Sequence, residues 1–140
     1  MTDILTEIAA YKLEVEVPAL PDVAGELPRA ERDFVAAVSR QNPLPNLIAE
    51  LKPASPVKGR ILPPDADVGA LGQQFETGGA AAISVLTDSK YFQGSYDNLR
   101  RVREQTECTP LLCKDFLVSP KQVRWARAHG ADSFLLIAKI

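Results

Sequence analysis

The spacing of apolar residues changes character once along the chain, near residue 46. Before that point its period is helical. Ile4, Leu5, Ile8 and Ala9, with Tyr11 and Leu13, recur at helical intervals and predict a helix over residues 2–14, capped by Thr2 or Asp3. Val15 to Arg29 holds Pro18, Pro21, Gly25 and Pro28 among mixed charges and reads as an irregular connector. Phe34, Val35 and Val38 predict a second helix over Ala30 to Arg40, stopping before Asn42-Pro43-Leu44-Pro45. Beyond residue 46, short apolar runs alternate with amphipathic stretches. The expected strands are Leu47 to Lys52, Ala81 to Leu86, Pro110 to Phe116 and Ser133 to Ile140. The expected helices are Val68 to Thr77, ended by Gly78-Gly79, then Tyr96 to Gln105, then one opened by Ser119-Pro120 that runs to Ala128 and closes at Gly130. Ala81 to Leu86 is apolar without alternation, as a strand covered on both faces should be.

Strand and helix alternating at roughly 25 to 35 residues per unit are the signature of βαβ crossovers and a parallel sheet, so the fold class is α/β. An open doubly wound sheet and part of a (β/α)8 barrel both fit. The first strand-to-helix turn has no G-x-G-x-x-G, and no G-x-x-x-x-G-K-[ST] occurs, which removes the main support for nucleotide-binding open sheets. Barrel enzymes carry their chemistry at the C-terminal ends of the strands. Glu50, Lys52, Asp88, Lys90, Lys114 and Asp115 all fall at those ends.

Composition narrows the function classes. The 140 residues are 46% hydrophobic and 24% charged, enough to bury one core. The net charge of −2 and the lack of a Lys/Arg-rich face argue against nucleic acid as a partner. The longest apolar runs, Ala80 to Leu86 and Phe134 to Ala138, are too short to span a bilayer, and Met1-Thr2-Asp3 does not open a signal peptide, so no membrane partner and a cytoplasmic location are expected. Cys108 and Cys113 lack the spacing of a redox or zinc motif; Cys113, inside an apolar run, reads as a small buried side chain. His129, ahead of Gly130, reads as a solvated helix-capping residue, and no metal site is expected around it.

Candidate chemistry sits on the first and third strands. Side chains alternate along a strand, so Glu50 and Lys52 leave on one side while Ala49 and Leu51 leave on the other. By the same rule Lys114 shares a face with Leu112 and Phe116. A salt-bridged strand end accounts for Glu50 and Lys52 taken alone, and a lysine reaching from a strand end to solvent accounts for Lys114 taken alone. Two inward lysines with a carboxylate beside them instead suit a substrate carrying carboxylate or phosphate. On that face Lys114 could hold an anion, donate a proton or form a Schiff base.

Three stretches, Glu50-Leu51-Lys52-Pro53-Ala54-Ser55-Pro56-Val57-Lys58-Gly59, Ala82 to Ser95 with Thr87-Asp88-Ser89-Lys90-Tyr91-Phe92-Gln93-Gly94-Ser95, and Leu112-Cys113-Lys114-Asp115-Phe116, closely resemble the indole-3-glycerol phosphate synthase family. The resemblance runs from the first helix to the last residue. It implies a partial (β/α)8 barrel: an N-terminal helical extension over residues 1–45, then the first half of the barrel, strands one to four with their helices, over residues 46–140. It implies ring closure of 1-(2-carboxyphenylamino)-1-deoxyribulose 5-phosphate, with loss of carbon dioxide and water and without metal or organic cofactor. Carried over by motif, Lys114 resembles the general acid, Lys52 the lysine that binds the substrate's anionic groups, and Glu50 the carboxylate that orients this pair. Ser55 and Pro56 would shape the loop beside the substrate, and Phe92 and Phe116 would supply apolar walls.

The sequence departs from the family at Pro53, where a second basic residue is common, and at Val57, where serine is common. The family's later glutamates, asparagine, serine and phosphate loops have no counterpart among these residues. The resemblance therefore implies an incomplete, inactive half, and the unpaired edges of strands one and four imply self-association or pairing with a missing C-terminal half. A Schiff-base aldolase using Lys114 and a non-catalytic half-barrel are the competing readings.

Overall fold

The computed structural model describes residues 3–27, 29–41 and 43–140; Thr2 as a cap, Pro28 in the connector and Asn42 after the second helix lie outside the described residues. Helix α1 (Ile4–Tyr11) is capped by Asp3, whose carboxylate accepts from the Leu5 N–H. It does not stop at residue 14. It widens into a π-helical turn over Lys12–Glu16 and continues as α2 (Val17–Ala19). Pro18 has no N–H and in a regular helix would press on the carbonyl of Glu14. The wider turn before it, closed by the Val17 N–H on the Lys12 carbonyl, lets the helix pass the proline. The buried stripe also differs from the expected one: Ile8 and Lys12 are buried, whereas Ile4 and Leu13 are exposed.

Helix α3 (Phe34–Val38) is shorter than its apolar spacing predicts, because the Asp33 carboxylate accepts from the Ala36 N–H and starts the helix there. Its buried contact is Ala37, and Val35 faces solvent.

Among the described residues four parallel strands form the main sheet in the order β1 (Ile48–Leu51), β4 (Ala82–Leu86), β5 (Leu111–Lys114), β6 (Ser133–Phe134). A small antiparallel hairpin, β2 (Ala54–Ser55) and β3 (Gly59–Arg60), follows β1 where a plain loop was expected. β6 is two residues long, far short of the expected Ser133 to Ile140; Leu136 and Ile140 beyond it are exposed.

Helices α4 (Val68–Thr77), α5 (Tyr96–Gln105) and α6 (Pro120–Ala128) occupy the expected residues because each start is written locally. Asp67 and Ser95 accept from first-turn N–H groups, and Ser119 with Gln122 makes a reciprocal capping box. One face of the sheet, Leu51, Ile83, Val85, Leu111 and Cys113, packs on Val68, Leu99, Val102 and Ala126 of these helices. Each fully buried aliphatic side chain there contributes about 1.5–3 kcal/mol. α4 and α5 approach closely because Gly72 has no Cβ, which would stand 2.6 Å from a Val102 methyl.

The N-terminal segment runs as a strap from one end of the sheet to the other. At the C-terminal ends of the strands, Tyr11 meets Tyr91 edge-on and the Tyr91 hydroxyl donates to Glu7 at 3.0 Å. The connector then crosses α6. Lys121 pairs with Asp22, and Arg124 donates to the carbonyls of Val23 and Gly25. Arg32 reaches the carbonyls of Thr106 and Glu107 below α5, and Ala37 sits by the N-terminal ends of the strands with Ala80, Ala81 and Pro110.

Candidate active site

The second face of the sheet is the less covered one, and it carries the candidate residues. Burial along β5 alternates, with Leu111, Cys113 and Asp115 buried and Leu112, Lys114 and Phe116 half-exposed. Glu50, Ser84 and Leu112 lie at one level of the register. One step further along, Leu86 pairs with Lys114, and Lys52 follows Leu51, the partner of Val85. Lys52 and Lys114 therefore stand at the same level on the same face, separated by one strand, about 10 Å apart at the backbone by sheet spacing.

Their electrostatic settings differ. Lys52 Nζ lies 2.7 Å from Glu50 Oε1, and the Ser84 hydroxyl donates to Glu50 Oε2 at 3.3 Å. Lys114 makes no ion pair or side-chain hydrogen bond among the described residues, which leaves its amine available to a bound anion.

The loops above this face are held by backbone bonds. The Pro53 carbonyl accepts from the Ile61 and Leu62 N–H groups, and the Ala54 N–H donates to the Phe92 carbonyl at 3.0 Å. The Ser55 hydroxyl accepts from the Lys58 N–H and closes the hairpin turn, whose tip holds exposed Pro56 and Val57. Phe92 and Phe116 lie with ring centroids 6.1 Å apart, an apolar pair at the mouth beside Lys114.

The six charged residues expected together at the strand ends separate into three places. Glu50, Lys52 and Lys114 take the face just described. Asp88 and Asp115 are fully buried on the helix side, where both contact Lys12 of the N-terminal segment, at 3.0 and 2.7 Å. Lys90 stacks on the rings of Tyr11 and Tyr91. Burial works against the charge of Lys12, but the Asp115, Glu16 and Asp88 carboxylates outweigh it and hold the ammonium above its ordinary value. Sequence reasoning missed Lys12 and Ser84. The signal for Lys12 was its place four residues after Ile8 and four before Glu16, on the buried stripe.

Cys113 is buried as expected, and burial pushes its thiol up to about 12. His129 caps α6 as expected, but its ring is packed rather than solvated, 4.6 Å from the Trp125 ring with Nδ1 2.8 Å from the Trp125 carbonyl.

The sequence model of indole-3-glycerol phosphate synthase matches residues 1–140. The chain belongs to the indole-3-glycerol phosphate synthase family. Indole-3-glycerol phosphate synthase of Microcystis aeruginosa (strain NIES-843 / IAM M-2473) is 49% identical over 137 residues, covering 96% of this chain and 45% of that protein. The protein of the same name from Crocosphaera subtropica (strain ATCC 51142 / BH68) is 50% identical over 109 residues, 78% of this chain and 36% of that protein. The Arabidopsis thaliana relative, named as chloroplastic, is 44% identical over 149 aligned positions, 99% of this chain and 37% of its own length. The chain thus spans less than half the length of these relatives. Its parallel sheet and flanking helices are an unclosed part of the (β/α)8 barrel of the indole-3-glycerol phosphate synthases, and its β1 and β6 edges each pair on one side among the described residues. Among those residues no helix is long and apolar enough to cross a membrane.

Proposed function

We propose that these residues are the N-terminal part of an indole-3-glycerol phosphate synthase, a carboxy-lyase of tryptophan biosynthesis acting on 1-(2-carboxyphenylamino)-1-deoxyribulose 5-phosphate. Residues 1–45 are the helical extension and residues 46–140 the first half of the barrel. Lys114 protonates the ribulose carbonyl oxygen while the ring carbon bearing the carboxylate attacks the carbonyl carbon. The positive charge this leaves on the nitrogen-substituted ring is the electron sink for decarboxylation. Carbon dioxide departs and its bonding electrons restore the aromatic ring; the hydroxyl made from the carbonyl then takes a second proton and leaves as water, while the neighbouring nitrogen-bearing carbon gives up a proton and the five-membered ring's double bond forms. Lys52, oriented by Glu50, binds an anionic group of the substrate. Phe92 and Phe116 wall the anthranilate ring, and Ser55 and Pro56 shape the loop beside it. The proposed reaction draws on no metal or organic cofactor.

The observation that carries this reading is the common level and face of Lys52 and Lys114, with Glu50 beside Lys52 and the aromatic pair beside Lys114. The test is a chimera in which this chain replaces the matching segment of the Microcystis relative. Formation of indole-3-glycerol phosphate by the chimera supports the proposal, and a folded chimera without that activity overturns it. The 140-residue chain alone is expected to show no turnover. Borohydride trapping of a substrate adduct on Lys114 would favour the Schiff-base aldolase instead.

A second reading concerns partners. Leu47, Ile48, Phe134, Leu136 and Ile140 are exposed at or near the two edge strands, a surface that soluble monomers rarely leave open. We infer that a second copy of the chain, or the remaining half of a barrel, covers it. Cytoplasmic location also belongs to the proposal; the name of the Arabidopsis relative places that protein in the chloroplast, and fractionation of the source cell decides between the two.

A further inference from the structure

The one fully buried cation among the described residues lies outside the proposed reaction. Lys12 is 0% exposed, and its ammonium meets carboxylates from three parts of the chain. Glu16 comes from the same widened turn, at 2.7 and 2.8 Å. Asp88 comes from the loop after β4 and Asp115 from the end of β5.

Each aspartate has a second task. Asp88 Oδ1 accepts from the Tyr91 and Phe92 N–H groups, at 2.6 and 3.1 Å, and so shapes the loop that presents Phe92. Asp115 Oδ1 accepts from the Phe116 N–H at 2.8 Å, and its Oδ2 accepts from the Thr87 hydroxyl at 2.6 Å. One ammonium on the helix side is thus linked through two carboxylates to the backbone N–H groups of Phe92 and Phe116, whose rings pair with each other. Asp115 also directly follows Lys114.

We propose that Lys12 is a positioning residue: by holding Asp88 and Asp115 together it fixes Phe92, Phe116 and the backbone next to Lys114, so the N-terminal strap and the candidate site order as one unit. For its catalytic consequence this rests on the proposed function. For its structural content it does not. Two buried carboxylates, with partly buried Glu16 beside them, repel one another without their shared cation and must take in water or separate, and the loop and strand end that the aspartates carry move with them.

The test uses the 140-residue chain labelled with nitrogen-15, as wild type, Lys12→Met, Lys12→Arg and Glu16→Gln. In Lys12→Met the amide signals of Tyr91, Phe92 and Phe116 should shift, and their hydrogen exchange should speed about tenfold or more relative to Leu99 and Val102 in α5. Lys12→Arg, which keeps the charge but moves the donors, should shift the same three amides less. Glu16→Gln leaves both aspartate contacts in place and should leave Phe92 and Phe116 unmoved. A residue serving stability alone would speed exchange throughout α5 as well. If Lys12→Met does not fold, Lys12→Arg carries the test. Unmoved Phe92 and Phe116 signals in folded Lys12→Met, or in Lys12→Arg where Lys12→Met does not fold, overturn the proposal. In the chimera, assayed well below the lowered melting temperature that losing a buried cation brings, Lys12→Met should still reduce kcat about tenfold or more. A chimera inactive even with Lys12 intact counts against the proposed reaction and leaves the amide result standing.

Discussion

At the scale of single residues, the structure separates groups that the sequence presents alike. Cys108 is exposed, whereas Cys113 is buried with its thiol pushed up to about 12. A thiol reagent at pH 8 should therefore modify one cysteine per native chain and two after denaturation. Glu76 behaves in the opposite direction. Burial works against its charge, but the N–H groups of Glu107, Thr109 and Cys108 outweigh it and hold the carboxyl at about 2, below its usual 4.5. Because the folded value is the lower one, this stabilisation is complete above pH 4.5 and is lost as pH falls toward 2. Glu76→Gln should lower stability at pH 7 by about 1–3 kcal/mol. It should also flatten the acid side of the melting-temperature profile in that window; an unchanged profile would remove Glu76 from the account. In the candidate site, Lys52→Ala should raise KM about tenfold in the chimera, since Lys52 is assigned to binding an anionic group.

At the scale of elements, the sequence was most readable where a local chemical signal coincided with periodicity. α4, α5 and α6 fall on the expected residues: Gly78-Gly79 marks the end of α4 and Ser119-Pro120 the start of α6, and in the structure Asp67 and Ser95 cap α4 and α5. The alternation of β1 and β5 placed Glu50, Lys52 and Lys114 opposite the core, as the burial pattern has it. What failed depended on remote or unusual contacts. Pro18 reads as a helix stop, but a π-helical turn carries the helix past it. Asp88 and Asp115 fall at strand ends with Lys114, and although alternation puts Asp115 on the helix side, nothing local shows that Lys12, from far along the chain, is the cation that meets both. The loop between β4 and α5 rests on Gly94, where a Cβ would stand 2.2 Å from the Leu86 carbonyl oxygen, a backbone atom that cannot step aside. Gly94→Ala should cost about 1–3 kcal/mol in denaturant unfolding, and a neutral result would contradict this close approach.

At the scale of the whole molecule, the sheet is an unclosed part of a barrel fold, with a covered helix side and an open side bordered by two edges. The N-terminal strap ties the ends of the covered half together through Lys12, Arg124 and Arg32, so the strands and helices can pack before any barrel closes. The exposed apolar side chains near β1 and β6 should drive association. Sedimentation velocity of the purified chain should show a dimer or larger species, and a stable compact monomer would contradict that expectation. The central claim is that this open face holds the acid catalyst of ring closure. It is tested most directly by the turnover number for indole-3-glycerol phosphate formation in the chimera carrying Lys114→Ala. A fall of about 100-fold or more with unchanged melting is the predicted result; turnover within about threefold of the unsubstituted chimera, well short of what losing a general acid costs, would contradict it.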